Sequence, residues 1–237
     1  MLERAYILHH RPYRETSVIF DLMTENHGRI AVIARGVRQA RSKWKSLLQS
    51  FTPLLISFQG RGELQFLNQA ESAGLPIRLH GAALLSGLYL NEILTRLLQK
   101  HDPHPGLYTI YEKTLLELQG CELDPKHLRL FEKKMLEELG YGLQLMHEVD
   151  GSAIKADALY RFHPELGFSL AQESIAVGSI FTGLSLLDLR AEVFSDVTSL
   201  RDAKRLMRLA LLPLLGHHKI HSRRLFSTKV GSHEKNQ

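Results

Sequence analysis

The feature that most constrains this chain is a change of hydrophobic period at Gly74-Leu75-Pro76. Before it, apolar residues come in short, β-rich runs: Tyr6–Leu8, Ser17–Leu22, Arg29–Ala34, Leu54–Phe58 and Glu63–Leu67. Turn signals separate them at Arg11-Pro12-Tyr13-Arg14-Glu15, at Asn26-His27-Gly28 and at Gln59-Gly60-Arg61-Gly62. Five strands in about 70 residues, with one long connection after the third, fit a small closed Greek-key barrel, and the OB-fold is the commonest such solution.

After the change, apolar residues recur at helical spacing. Leu84, Leu88, Leu94 and Leu98, with Leu85 and Leu97 beside them, predict one apolar face of a helix over about 80–99, ended by His101-Asp102-Pro103-His104-Pro105-Gly106. A second helix is expected over about 106–119. Asp124-Pro125 opens a third, carrying Leu128, Phe131, Met135 and Leu139 and closed by Gly140-Tyr141-Gly142. The signal weakens over 148–183, where Leu159–Phe162 and Phe168–Leu170 suggest a small hairpin. Helices follow over about 184–191 and 199–215, the second kinked or ended by Pro213. The expected class is multi-domain α+β. An OB-fold barrel over 1–78 precedes a mainly α-helical domain over 79–229, with a small irregular or β insertion near 148–183 and a disordered tail over 230–237.

Charge is unevenly distributed along this plan. Residues 1–78 hold 11 Lys/Arg against 6 Asp/Glu, residues 79–200 hold 10 against 17, and residues 201–237 hold 9 against 2. Two basic ends around an acidic middle suit a polyanion partner better than a uniform surface does, ordinary surface variation being the plain alternative. The sharpest concentration is Arg35–Lys45, where Arg35, Arg38, Arg41, Lys43 and Lys45 surround the only tryptophan, Trp44. No acid lies between Glu25 and Glu63, and Arg29 and Arg61 add to the window. Lys and Arg grip phosphates by charge, and Trp44 or Tyr13 can stack on unpaired bases. The competing reading is a solvated charged loop with Trp44 tucked into the core.

Other candidates carry less. Arg201, Lys204, Arg205 and Arg208 make a basic stripe that extends a nucleic-acid path, meets an acidic partner or lies on a membrane, and that reads equally as the wet face of a packed helix. Lys126, Arg129 and Lys133 share one helical face. An acidic peptide with apolar residues fits there, but periodicity alone favours pairing with neighbours such as Glu132 and Glu137. His101 with His104, and His217 with His221, lack the partners of a recognised metal pattern. One cysteine, Cys121, forbids an internal disulfide and a multi-cysteine metal site, and nothing local activates it. No phosphate-binding loop, nucleophile elbow or His-Glu-x-x-His motif nominates an active site, so no catalysis, metal or cofactor is expected. The first residues show no secretory signal and no apolar run is long enough to span a bilayer, so a reducing cytoplasm without membrane attachment is expected.

These residues together resemble the RecO family of bacterial recombination mediators. The likeness runs through Leu8-His9-His10-Arg11-Pro12-Tyr13-Arg14-Glu15-Thr16-Ser17, Phe20-Asp21, Thr24-Glu25 with Gly28-Arg29, Ala34-Arg35-Gly36-Val37-Arg38, Gln49–Leu55, Gly60–Leu64 and Ala70-Glu71. It continues in Ser86–Leu94, Leu128-Arg129-Leu130-Phe131-Glu132, Leu139–Gly142, Ala203-Lys204-Arg205 and Ser222-Arg223. The resemblance implies an N-terminal OB barrel and a helical C-terminal domain. It implies binding of single- and double-stranded DNA, annealing of complementary strands, and, with RecR, help in loading RecA onto strands coated by single-stranded DNA-binding protein, all on the nucleoid. It also implies that the acidic-hydrophobic tail of the single-strand binder docks on the helical domain, with Arg129 the best candidate and Lys126 and Lys133 beside it. Some members carry a four-cysteine zinc site after the Leu-Gly-Tyr segment; residues 143–183 here contain no cysteine, so the chain resembles the zinc-free branch. The rival expectations are an RNA-binding OB protein and a non-enzymatic helical scaffold for acidic proteins or membrane.

Overall fold

The computed structural model describes residues 2–120, 124–171, 177–216, 219–223 and 225. Cys121, His217 and the 230–237 tail lie outside the described residues. The chain forms two compact units, Met1–Leu123 with Lys219–Gln237, and Asp124–His218.

The first unit is built on a barrel. Strands β1 (Glu3–Tyr13), β2 (Ser17–Thr24), β3 (Gly28–Ala34), β4 (Leu54–Gln59) and β5 (Leu64–Ser72) close in the order β1-β2-β3-β5-β4, with β3 parallel to β5 and β1 antiparallel to β4. This is an OB-type barrel. Ala5, Ile7, Val18, Phe20, Leu22, Ile30, Val32, Leu54 and Ile56 fill it, and a single helical turn, α1 (Trp44–Leu47), sets Trp44 and Leu47 against that core. β1 runs into the expected turn as far as Tyr13, and its register against β2 shifts by a bulge between Ile7 and His9. Pro12 is tolerated there because β1 pairs with β4 only through Glu3–Ala5, which leaves the far half of β1 as an edge. β5 extends past Leu67 to Ser72 by pairing with β4 through a second irregularity at Ser57/Phe58.

Helices α2 (Gly81–Leu97) and α3 (Pro105–Gly120) pack against β1 and β2 respectively. Val18, Phe20 and Leu22 point into the barrel, yet the alternating Ile19, Asp21 and Met23 on the outside of β2 are also only 5%, 6% and 2% exposed. The predicted leucine stripe is buried only in its second half, at Leu94 and Leu98. Leu84 and Leu88 face solvent, while Ser86, Gly87, Leu90, Asn91, Ile93 and Leu94 are buried. Small residues decide this rotation: a Cβ at Gly87 would stand 2.9 Å from the Phe51 ring, so the helix seats by its thinnest side.

The second unit holds α4 (Lys126–Glu138), the strands β6 (Leu159–His163), β7 (Gly167–Leu170) and β8 (Ile180–Thr182) in the order β7-β6-β8, and helices α5 (Gly183–Ala191) and α6 (Val197–Leu215). The Asp124 carboxylate accepts the Lys126 N–H at 2.9 Å, and Gly140 closes the helix at φ +82°. The hairpin expected over 148–183 gains a third strand, β8. Helix α6 continues through Pro213 to Leu215 and ends at Gly216.

Gly28 joins the barrel to the exit of α2. It adopts φ +66°, and a Cβ there would lie 2.1 Å from the carbonyl oxygen of Asp102. Gly28→Ala is therefore expected to lower unfolding free energy by about 2 kcal/mol or more, measured in urea.

Candidate nucleic-acid interface

Ala34, the last residue of β3, pairs with Val18, and Tyr13 pairs with Ser17, so the basic loop and the β1–β2 turn leave the barrel at the same end. Arg38 ties them together. Its backbone N–H donates to the Thr16 carbonyl at 3.0 Å, and its Nη1 donates to the Arg14 carbonyl at 3.2 Å. Arg35, Arg38, Arg41, Lys43 and Lys45 are all exposed. The Arg35 guanidinium lies 4.6 Å from the Phe66 ring centre, and Lys43 Nζ lies 5.1 Å from that of Trp44. Trp44 is half-buried and packs against the barrel core, so its ring seats the loop. The turn contributes exposed Arg11 and Arg14, which the charge pattern of 35–45 had overshadowed although both stood in the Arg-Pro-Tyr-Arg string.

Arg29 and Arg61 are not gathered into this cluster. The Arg29 side chain, 16% exposed, sits 3.4 Å from Asp21 Oδ1 and donates through Nε to the Leu98 carbonyl at 3.0 Å. Its own carbonyl accepts the His101 N–H at 3.0 Å. It is a pin between barrel and α2. Arg61 is exposed in the β4–β5 turn, which the pairing of β4 with Glu3–Ala5 directs toward the opposite end of the barrel.

In the second unit the basic residues also divide. Arg205 donates through Nη1 to Asp202 at 2.7 Å and through Nη2 to the Ile180 carbonyl at 2.7 Å, with its guanidinium over Phe181. It fastens α6 to β8. Arg201, Lys204 and Arg208 are exposed on the same helix. Burial first, then the cations of Arg208 and Arg129, holds the Lys204 ammonium below the ordinary lysine range. Arg129 itself is 7% exposed and ion-paired at 3.0 Å with Glu132, which is 1% exposed. Lys133 is buried between Glu137 and Glu192 at 3.1 and 3.0 Å, and Lys126 is half-exposed and paired with Asp124 at 2.7 Å. The three expected tail-binding cations are thus already matched by carboxylates. Beside α4 lies a cleft of about 490 Å³, lined by Leu130, Val193, Phe194, Val197 and Leu200 and rimmed by Lys126, Asp124, Glu192 and Asp196. Among the described residues no cluster of His, Cys, Asp or Glu is placed to hold a metal, and no helix is long and apolar enough to cross a membrane.

Residues 1–75 match the family model described as Recombination protein O N terminal, and residues 78–224 match Recombination protein O C terminal. The chain belongs to the RecO family. It is 47% identical to the DNA repair protein RecO of Coxiella burnetii (strain CbuG_Q212) over 94% of this chain and 96% of that one. It is 45% identical to the DNA repair protein RecO of Methylococcus capsulatus over 95% and 93%, and 42% identical to that of Haemophilus influenzae (strain 86-028NP) over 97% of both. The junction between the two RecO models falls just after β5, whereas the compact units divide after α3. The helices that cover the barrel thus belong to the C-terminal family model and to the N-terminal compact unit.

The division of cations has a direct check. Arg29→Gln removes a hydrogen bond to a carbonyl and is expected to cost about 1 kcal/mol in urea unfolding. Arg35→Gln, on the open loop, is expected to change stability by less than about 0.5 kcal/mol.

Proposed function

We propose that this chain is a DNA repair and recombination mediator that binds single- and double-stranded DNA, anneals complementary strands and, with RecR, helps load RecA onto strands coated by single-stranded DNA-binding protein. The observation that carries the reading is the acid-free basic loop Arg35–Lys45, exposed on all its cations and fixed to one end of an OB-type barrel. Membership of a family whose relatives are named DNA repair proteins supports it.

The activity needs no covalent chemistry. Two complementary strands repel through their phosphates. A surface that holds both releases counterions, lowers the repulsion and raises the local strand concentration. Backbone contacts carry no sequence information, which suits an annealing agent that must act on any strand.

For the single-strand binder's acidic-hydrophobic tail, we place the docking cations where α4 meets α6. Burial first, then the charges of Arg208 and Arg129, lowers the Lys204 ammonium, and an anion settling beside the exposed Lys204 and Arg208 would relieve the like-charge part. Arg129, Lys126 and Lys133 contribute less, because their charges are already matched. Arg129 is a poor test residue, since its removal withdraws the cation beside buried Glu132 and is expected to destabilise the fold by about 3 kcal/mol. Lys204→Gln with Arg208→Gln is the cleaner variant. It should weaken binding of the tail peptide at least about fivefold by anisotropy and leave binding of bare DNA within about twofold.

Fluorescence anisotropy with labelled single strands across a salt series tests the main reading. Affinity should fall steeply with salt. Replacing Arg35, Arg38, Arg41, Lys43 and Lys45 with Gln together should lower affinity by about two orders of magnitude, flatten the salt dependence and abolish annealing. Annealing that persists in this variant would move the DNA surface to Arg201, Lys204 and Arg208. A clear preference for RNA would replace the reading with RNA binding.

A further inference from the structure

We propose that Tyr13 is a base-stacking station for single strands, flanked by Arg11, Arg14 and Arg38, and that it separates single-strand from duplex binding at the barrel. This rests on the nucleic-acid reading of the basic loop.

The outer face of β2, which an OB barrel ordinarily leaves open to oligonucleotides, is sealed by this chain's own helices. With that face closed, the loop end, where the exposed cations gather, offers the approach for a strand. Tyr13 is the last residue of β1, half-buried at the end from which the basic loop emerges. The Arg14 guanidinium lies 5.2 Å from its ring centre. Arg14 adopts φ +51°, a left-handed conformation in which its side chain turns back over the ring of its neighbour. The two hydrogen bonds from Arg38 to Thr16 and Arg14 hold turn and loop as one body, so phosphates gripped by the loop bring their bases to the turn. Glu15 shares the turn, but Arg11, Arg14 and Arg38 leave it net positive. Of the other aromatic side chains at this end, Trp44 is packed against the core beneath Lys43. Stacking tolerates any base but needs an unpaired one, so the ring discriminates strand state and not sequence.

The test uses the full chain with Tyr13→Leu, Tyr13→Phe and Phe66→Leu, each checked by thermal unfolding. Tyr13→Leu should weaken single-strand binding roughly tenfold, leave duplex binding within about twofold and keep the wild-type salt slope, because stacking releases no counterions. Tyr13→Phe should bind within about twofold of wild type. A 2-aminopurine base in the strand should lose most of its binding-induced fluorescence change with Tyr13→Leu. If Tyr13→Leu binds single strands as wild type does, or weakens single strand and duplex equally, the proposal falls. The same holds if Phe66→Leu produces the loss instead. Failure of the wild type to bind any strand would sink the loop reading itself, a result distinct from a silent Tyr13 variant in a protein that binds.

Discussion

The hydroxyl of Tyr111 donates to Asn91 Oδ1 at 2.5 Å, and the Asn91 amide donates to the carbonyl of Ile7 at 3.3 Å, so one buried side chain links α3, α2 and β1. Beside it, Glu112 accepts two hydrogen bonds from Arg4 at 2.9 and 3.0 Å and one from the Tyr6 hydroxyl at 2.8 Å. Burial first, then Glu112, raises the Tyr6 phenol above its ordinary range and keeps it a neutral donor. These polar bonds lie among the rings of Tyr6, Tyr108 and Tyr111, which meet edge-on or tilted at 5.3 to 5.6 Å. Satisfied polar groups inside an apolar contact fix one relative placement of the layers, because any slip would leave donors and acceptors unmatched in a dry environment. The same seam withdraws the outside of β2 from solvent. With that side covered, the exposed cations of the basic loop stand at the end of the barrel.

Function here depends on which cations are left over after the fold has used its share. Arg29, Arg205, Arg129 and Lys133 all face carbonyls or carboxylates of their own chain. A paired, half-desolvated cation has little left for a phosphate, since a new anion must displace an existing one. Arg35, Arg38, Arg41, Lys43 and Lys45 have no carboxylate on their own loop to do this, and the loop's backbone bonds to the turn do not consume its charge. Lys204 is a third kind: its ammonium is lowered first by partial burial and then by the neighbouring charges of Arg208 and Arg129. The first kind holds the protein together, the second suits a long polyanion, and the third suits one compact anion.

The strands of the barrel were legible because alternation and turn residues coincide there, as at Asn26-His27-Gly28. The helix over 80–99 was legible in extent but not in orientation. Of the leucines that periodicity aligned, Leu94 and Leu98 are buried but Leu84 and Leu88 are not, because Ser86 and Gly87 let the backbone approach Phe51 and Leu79. Periodicity weighs side chains by hydrophobicity and is blind to a contact made through the absence of a side chain. The end of β5 escaped notice because Asn68 and Gln69 break the apolar pattern on an exposed strand, and β8 because three residues hold no period. Charges were legible, and so were partners one helical turn away, since Arg129 meets Glu132 and Lys133 meets Glu137 as their spacing suggested; distant partners were not. Arg29 meets a carbonyl 69 residues away, and Lys133 meets Glu192 59 residues away. A local reading pairs charges one helical turn apart and cannot see those distances, which is why Arg29 was grouped with the loop.

An annealing surface faces a requirement that charge alone does not meet. Loop cations attract the phosphates of single strands and of the duplex product by the same means, so a purely electrostatic grip tightens as charge density rises on pairing and retains the product. A grip that includes an unpaired base behaves oppositely. When the complementary strand arrives, the base leaves the ring for its partner, and the stacking contribution is lost at the moment the duplex forms. On the proposed reading, an acid-free basic loop with a ring at its root would capture single strands strongly and release the product. Arg38 is the residue on which both halves turn, since it belongs to the loop by charge and to the β1–β2 turn by its two hydrogen bonds.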